Sequence, residues 1–129
     1  MKISKAIYEG CKRGPQLKQQ FFDDKGGTCV VGALIVGSGL DHVHNYDVYS
    51  TIIKNFPELG KIYKNPESGN EESLFHLMVI LNDSYGWSRE RIAKWIEQNT
   101  EKTVEHKSLG KLQKLQAIPQ KQERELVLA

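Results

Sequence analysis

Apolar residues recur at helical spacing on both sides of a short polar stretch, residues 81–88, near the middle of the chain. Before the stretch, the i, i+3, i+4, i+7 pattern is carried by Leu74, Leu77, Met78 and Leu81. After it, the same period resumes with Ile92, Trp95 and Ile96. This pattern predicts two helices joined by a tight turn.

The polar residues that flank these two helices indicate how each one begins. Asn70 is the predicted N-cap of the first helix, with carboxylates at positions 71 and 72 facing the positive end of the helix dipole. Ser88 is the predicted N-cap of the second helix. Trp87 and Ile92 have the spacing of a hydrophobic staple across that cap.

Earlier segments predict further helices. Residues 3–13 place their apolar side chains on one helical face and stop at Gly14 and Pro15, and residues 47–55 repeat the pattern. Residues 61–70 form a polar stretch that we expect to be a loop.

The segment from Cys29 to Val36 is apolar throughout and fits either a buried strand or a buried helix. Its β-branched residues favour a strand, whereas Thr28 as an N-cap and Gly37 as a stop favour a helix. We expect a helix, because no second convincing strand is present to pair with it.

These patterns predict a mainly α fold: a small single-domain helical bundle with a central helix-turn-helix-like hairpin. Residues 1–99 form the predicted helical domain, and residues 100–129 form a polar, slightly basic tail that we expect to be extended or partly ordered. The apolar content of 39% in 129 residues is enough for one modest core. No apolar run approaches the ~20 residues that span a bilayer, and the N-terminus lacks a signal-like apolar region, so we expect a cytoplasmic protein without membrane contact.

The net charge of +2 comes from the tail. Residues 1–99 hold 12 basic and 12 acidic residues, and residues 100–129 hold 6 and 4, which add to the totals of 18 and 16. A protein that binds nucleic acid usually carries a denser basic face. The charge distribution therefore makes nucleic acid the second choice of partner.

Two candidate chemical sites are present. The order Gln20, Cys29, His76, Asn82 copies the chain order of papain-like cysteine hydrolases, and Cys29 precedes a predicted helix whose dipole favours a thiolate. His76, however, stands among apolar residues as core or rim histidines do, and no local signature surrounds the cysteine. We therefore expect no enzyme and no cofactor, with a Cys29-dependent hydrolase as the second alternative.

Histidines 42 and 44, beside Asp41 and Asp47, are the only cluster that fits metal ligands. Such residues also cap helices, so no metal site is predicted.

The central hairpin has two interpretations. As a DNA-binding helix-turn-helix, it would present Arg89, Arg91 and Lys94 on an exposed recognition helix. Asn82 argues against this, because such motifs prefer a small residue four positions before the turn glycine. As a structural elbow, it would use Asn82 and Asp83 to satisfy backbone groups within the turn.

Tyrosine, tryptophan and arginine are typical of protein-binding hot spots. Tyr85 and Tyr63 are predicted to be exposed, and the predicted partner-binding residues are Tyr85, Arg89, Arg91, Lys94 and Tyr63.

Residues 27–34, Gly-Thr-Cys-Val-Val-Gly-Ala-Leu, and residues 81–95, which contain Asn-Asp-Ser-Tyr-Gly-Trp-Ser-Arg-Glu-Arg-Ile-Ala-Lys-Trp, carry a resemblance. Residues 1–98 resemble a group of short hypothetical proteins from bacteria and their phages, which share Cys-x-x-Gly-Ala and Asn-Asp-x-x-Gly-Trp segments. The resemblance implies a helical domain and transfers no catalytic residue. A phage or mobile-element setting implies an inhibitor or modulator of a host protein complex, including one that counters host defence.

The expected function is thus non-catalytic binding to a host or bacterial protein. A helix-turn-helix DNA-binding protein is the first alternative.

Overall fold

The computed structural model describes residues 1–40 and 48–101, and this part of the chain is mainly α-helical. Its five α-helices are α1 (Ile3–Cys11), α2 (Val30–Ser38), α3 (Val48–Asn55), α4 (Leu74–Asp83) and α5 (Arg89–Ile96). A 3-10 helix, Pro57–Gly60, follows α3, and a π-helical turn, Glu97–Glu101, follows α5. Histidines 42 and 44 and most of the predicted tail lie outside the described residues.

The apolar segment around Val30 is helical, which settles the choice between helix and strand. Six consecutive residues, 30–35, are buried, so the helix is apolar on all sides because the body surrounds it. The predicted ends were wrong. Cys29 holds the N-cap position, and the helix continues through Gly37 to end at Ser38, followed by Gly39, whose left-handed φ of 88° suits glycine.

Thr28 is not a cap because its backbone pairs with the preceding segment. Its N–H donates to the Pro15 carbonyl at 3.0 Å, and its own carbonyl accepts from the Leu17 N–H at 2.9 Å. Residues 12–28 form an irregular segment, here called the clasp, that carries the half-buried Phe21 and Phe22 against the core. These two aromatics dock the clasp on the body.

Helix α1 packs closely against α2 through small residues. A Cβ atom at Gly10 would overlap the backbone of Ala33, and one at Gly37 would overlap the carbonyl oxygen of Ala6. The two backbones therefore approach to a distance that only glycine allows at these positions.

Helix α4 begins later than the sequence predicts. Residues 71–73 form strand β2 (Glu71–Ser73), which pairs antiparallel with β1 (Ile62–Lys64), so Asn70 cannot cap the helix. Ser73 takes that role, and its Oγ accepts from the His76 N–H at 3.2 Å. The prediction of a loop over residues 61–70 is wrong for residues 62–64, because they form β1. Strands of three residues are too short to give a readable alternation.

The turn of this β-hairpin is closed by Asn65, which is buried. Its Oδ1 accepts from the N–H groups of Glu67 at 2.7 Å and Ser68 at 3.2 Å, and its Nδ2 donates to Glu72 at 3.0 Å. One side chain thus holds both ends of the turn.

Helix α5 begins as predicted. The Ser88 Oγ accepts from the Arg91 N–H at 3.0 Å, Glu90 lies in the first turn, and Trp87 and Ile92 are both buried in the core. Helices α1 to α5 all contribute to this core, which belongs to the compact unit Met1–Glu97. Among the described residues, no helix has the length and apolarity needed to cross a membrane.

We expect Gly37→Ala to lower the free energy of unfolding by about 2 kcal/mol, because the new methyl group must push α1 away from α2. The matched control is Gly60→Ala, where the added Cβ would meet only the Ile53 Cδ1 at 3.6 Å, an ordinary contact. Urea unfolding measures both variants. A Gly37→Ala protein as stable as Gly60→Ala would disprove the close contact.

Candidate functional site

The five predicted partner-binding residues do not share one environment. Tyr85 is 44% exposed in the turn between α4 and α5, and Arg91 and Lys94 are exposed on α5. Tyr63 is half-buried on β1. Arg89 is only 5% exposed, so its predicted place on the outer face of a recognition helix is wrong.

Arg89 points into the protein because three backbone carbonyls and a hydroxyl of the clasp face it. One guanidinium nitrogen donates to the Thr28 Oγ1 at 2.8 Å and to the Thr28 carbonyl at 3.3 Å. The other donates to the Gly14 carbonyl at 2.8 Å, and the Pro15 carbonyl lies 3.5 Å from the first. Its role is to fasten the start of α5 to the clasp.

Four side chains on and beside α5, which we call the aromatic flank, form two contact pairs: the exposed Arg91 with Trp87, which is only 6% exposed, and the half-buried Trp95 with the half-buried Tyr63. The Arg91 guanidinium lies over the Trp87 ring, 3.7 Å from its centroid, in cation–π geometry. One helical turn further on, Trp95 meets Tyr63 edge to face, with ring centroids 6.3 Å apart. The flank therefore joins α5 to the β-hairpin.

The β-hairpin is anchored to the flank by a second contact. The Trp87 Nε1–H donates to the Glu67 carboxylate at 2.7 Å. The Asn65 side chain fixes the turn that carries Glu67. The indole of Trp87 is therefore held at its Nε1 by Glu67 and on its face by Arg91. The surface is thus preorganised.

Sequence reasoning missed Trp87 and Trp95 as members of this surface. The signal was present as Trp-x-x-x-Arg-x-x-x-Trp over residues 87–95, a spacing of four that aligns side chains on one helical face. The contribution of Tyr63 through a strand was not readable, because β1 was expected to be a loop.

Asn82 is fully buried and connects α4 to the clasp and to α2. Its Oδ1 accepts from the Val30 N–H at 3.0 Å and from the Gln16 Nε2 at 2.9 Å. Its Nδ2 donates to the Leu17 carbonyl at 2.9 Å and to Asp83 at 2.8 Å. All four hydrogen-bonding positions of the amide are used.

The expectation that Asn82 and Asp83 satisfy groups inside their own turn was wrong. The Trp87 N–H instead donates to the Leu81 carbonyl at 2.9 Å, and the Asp83 Oδ1 accepts from the Gln19 N–H at 2.9 Å. Their partners are distant in sequence because the clasp lies along the end of α4.

Cys29 lies beside a cavity of about 280 Å³ lined also by Gln20 and Asn82, so three of the four candidate hydrolase residues share one place. The fourth does not. His76 lines a different depression, where its Nε2 is 3.3 Å from Glu72.

The two thiols are weakly acidic. Burial raises the pKa of Cys29, with a further contribution from the nearby Asp83 charge, although the N–H groups of Gly32 and Val31 act in the opposite direction. Burial likewise raises the pKa of the Cys11 thiol from 9.0 to about 11, against the positive charge of Arg89. A nucleophilic cysteine needs the reverse shift.

Within the part of the chain that the structure describes, no group of three or more histidine, cysteine, aspartate or glutamate residues is placed to hold a metal ion. The candidate pair at positions 42 and 44 is outside that part.

Comparison of the chain with models of protein families, with curated proteins and with solved structures finds no match. The resemblance to short bacterial and phage proteins stays a prediction.

We expect Asn82→Ala to lower the free energy of unfolding by about 2 to 4 kcal/mol, because it leaves buried partners on α2 and the clasp without hydrogen bonds. The matched control is Asn55→Ala, since Asn55 is exposed and, within residues 1–40 and 48–101, donates only to the Thr51 carbonyl one turn away. Urea unfolding at neutral pH measures both. Equal losses in the two variants would contradict the role assigned to Asn82.

Both cysteines should react slowly with iodoacetamide at pH 7.5. For Cys11, a pKa of about 11 in place of 9.0 reduces the thiolate fraction about a hundredfold, and Cys29 is in addition buried. Mass spectrometry of the native and the guanidinium-unfolded protein measures the two rates. Labelling of native Cys29 as fast as in the unfolded chain would return the hydrolase hypothesis to consideration.

Proposed function

We propose that this chain is a non-catalytic protein-binding domain and that its partner contacts the aromatic flank. The observation that carries the proposal is a pair of aromatic contacts along α5, the cation–π contact of Arg91 with Trp87 and the edge-to-face contact of Trp95 with Tyr63. Tryptophan, tyrosine and arginine dominate the binding energy of protein interfaces, and a preorganised surface loses little entropy on binding.

Two further exposed side chains lie close in sequence to the aromatic flank. Lys94 is exposed on α5, three residues after Arg91. Tyr85 is exposed in the turn that leads to Trp87. Arg91 and Lys94 together favour a partner with acidic groups.

The proposed partner is a bacterial host protein, and the proposed role is to modulate or inhibit the complex to which that protein belongs. This part of the proposal is supported by the resemblance to short proteins of bacteria and phages and places the chain in the cytoplasm.

DNA binding by the α4–α5 hairpin is less well supported than protein binding. Of its three candidate cations, Arg89 is buried against the clasp, which leaves Arg91 and Lys94 exposed on α5. Two cations on a helix that also carries Glu90 and is followed by Glu97 make a weak phosphate-binding face.

The test compares proteins recovered from a bacterial lysate by the tagged wild-type chain, by Arg91→Ala and by Arg13→Ala, quantified by mass spectrometry. Arg91→Ala should reduce recovery of specific partners roughly tenfold, about 1.4 kcal/mol of binding free energy, because it removes the cation from the Trp87 face. Arg13 is the matched control, because it is an exposed arginine that lies on the clasp and is not part of the aromatic flank.

Two results would overturn the proposal. One is recovery of the same proteins by Arg91→Ala and the wild type. The other is co-purification of nuclease-resistant nucleic acid without protein above background, with a salt dependence that weakens in Lys94→Ala, which would establish the DNA-binding alternative.

A further inference from the structure

The cavity of about 280 Å³ beside Cys29 is separate from the aromatic flank and has no part in the proposed function. It opens between the clasp and the end of α4. Its lining residues are Gln19, Gln20, Phe21, Cys29, Val79, Asn82 and Asp83. A volume of this size is at the lower limit for ligand pockets and corresponds to about nine water molecules, so a ligand that fits has only a few heavy atoms.

Asp83 is the only charged residue in this lining. Its Oδ1 accepts from the Gln19 N–H at 2.9 Å and from the Asn82 Nδ2 at 2.8 Å, which fixes the carboxylate. Among the described residues, its Oδ2 has no hydrogen-bond partner, and no lysine, arginine or histidine forms an ion pair with it. The cavity therefore presents one positioned negative charge that lacks a counter-ion.

The rest of the lining is neutral. Phe21 and Val79 provide apolar walls, and Cys29 adds a thiol that stays protonated at neutral pH because burial raises its pKa. Carbon-bound hydrogens pack against such walls, and a positive charge is also favoured near an aromatic ring.

An anion would not fit, although the N-terminus of α2 lies at the cavity. The Val30 N–H is already bonded to the Asn82 Oδ1 at 3.0 Å. The Asp83 carboxylate in the same lining would repel an anion.

We propose that this cavity binds a small organic ammonium group, with Asp83 as its counter-ion and Phe21 and Val79 around its alkyl chain. The ammonium group is carried either by a free alkylamine or by a lysine side chain of another protein, since both present the same chemistry.

The experiment is an NMR titration of the full chain with n-butylammonium, followed through the backbone amide signals of Cys29 and Asp83. The neutral analogue n-butanol is the control ligand, and ionic strength is kept constant with sodium chloride. We expect the dissociation constant for n-butylammonium to be at least tenfold lower than that for n-butanol.

Asp83→Asn should weaken n-butylammonium binding at least tenfold, since the amide oxygen can keep both existing hydrogen bonds while the charge is lost. Asp24→Asn is the matched control, because Asp24 is exposed and its replacement changes the net charge equally. A blocked lysine, N-acetyl-lysine methylamide, distinguishes the two sources: binding as tight as n-butylammonium indicates a lysine of a partner, and no binding indicates a free amine.

Equal affinity for n-butanol, unchanged affinity in Asp83→Asn, or no signal change with n-butylammonium would each overturn the proposal. Should Asp83→Asn fail to fold, the comparison of the two ligands on the wild-type chain still decides it.

Discussion

The hydrogen bond from the Val30 N–H to the buried side chain of Asn82 is the interaction on which the arrangement of this domain depends. Helix α2 is apolar on every side and its first residue, Val30, is fully buried, so the Val30 N–H needs an acceptor from the protein. An acceptor must come from another element, and Asn82 on α4 provides it. The same amide group holds Leu17 and Gln16, so α2, α4 and the clasp meet at one side chain.

Gln16 extends this junction to α5. Its Nε2 donates to the Trp87 carbonyl at 2.9 Å, and its Oε1 accepts from the Arg89 N–H at 3.2 Å. The indole of Trp87 and the helix that carries Arg91 are therefore positioned by the clasp. The surface proposed for partner binding rests on buried polar contacts that involve none of its outward-facing atoms, which separates the residues that shape the surface from those that would touch a partner.

Most of the helices could be predicted because burial on one face leaves a period in the sequence that survives without knowledge of the fold. The pattern through Leu74, Leu77 and Leu81 is of this kind, as is the Ser88 cap. Contacts between distant segments leave no such period. Nothing near Arg89 in sequence indicates that the Gly14 and Thr28 carbonyls would face it, and Asn70 reads as a cap only until the pairing of β1 with β2 is known. The aromatic flank falls between these cases: its spacing along α5 was present in the sequence, whereas its strand residue depended on that pairing.

The separation of Gln16 from Asn82 by 66 residues has a consequence for synthesis on the ribosome. At roughly 5 to 20 residues per second, the clasp emerges about 3 to 13 s before the asparagine that secures it. During this interval α2 has neither its acceptor at Val30 nor the contacts that it makes with α4 and α5 in the folded domain. The nascent chain thus passes through a stage in which its most hydrophobic helix depends on α1 alone, and a chaperone that shields this segment would act in that interval.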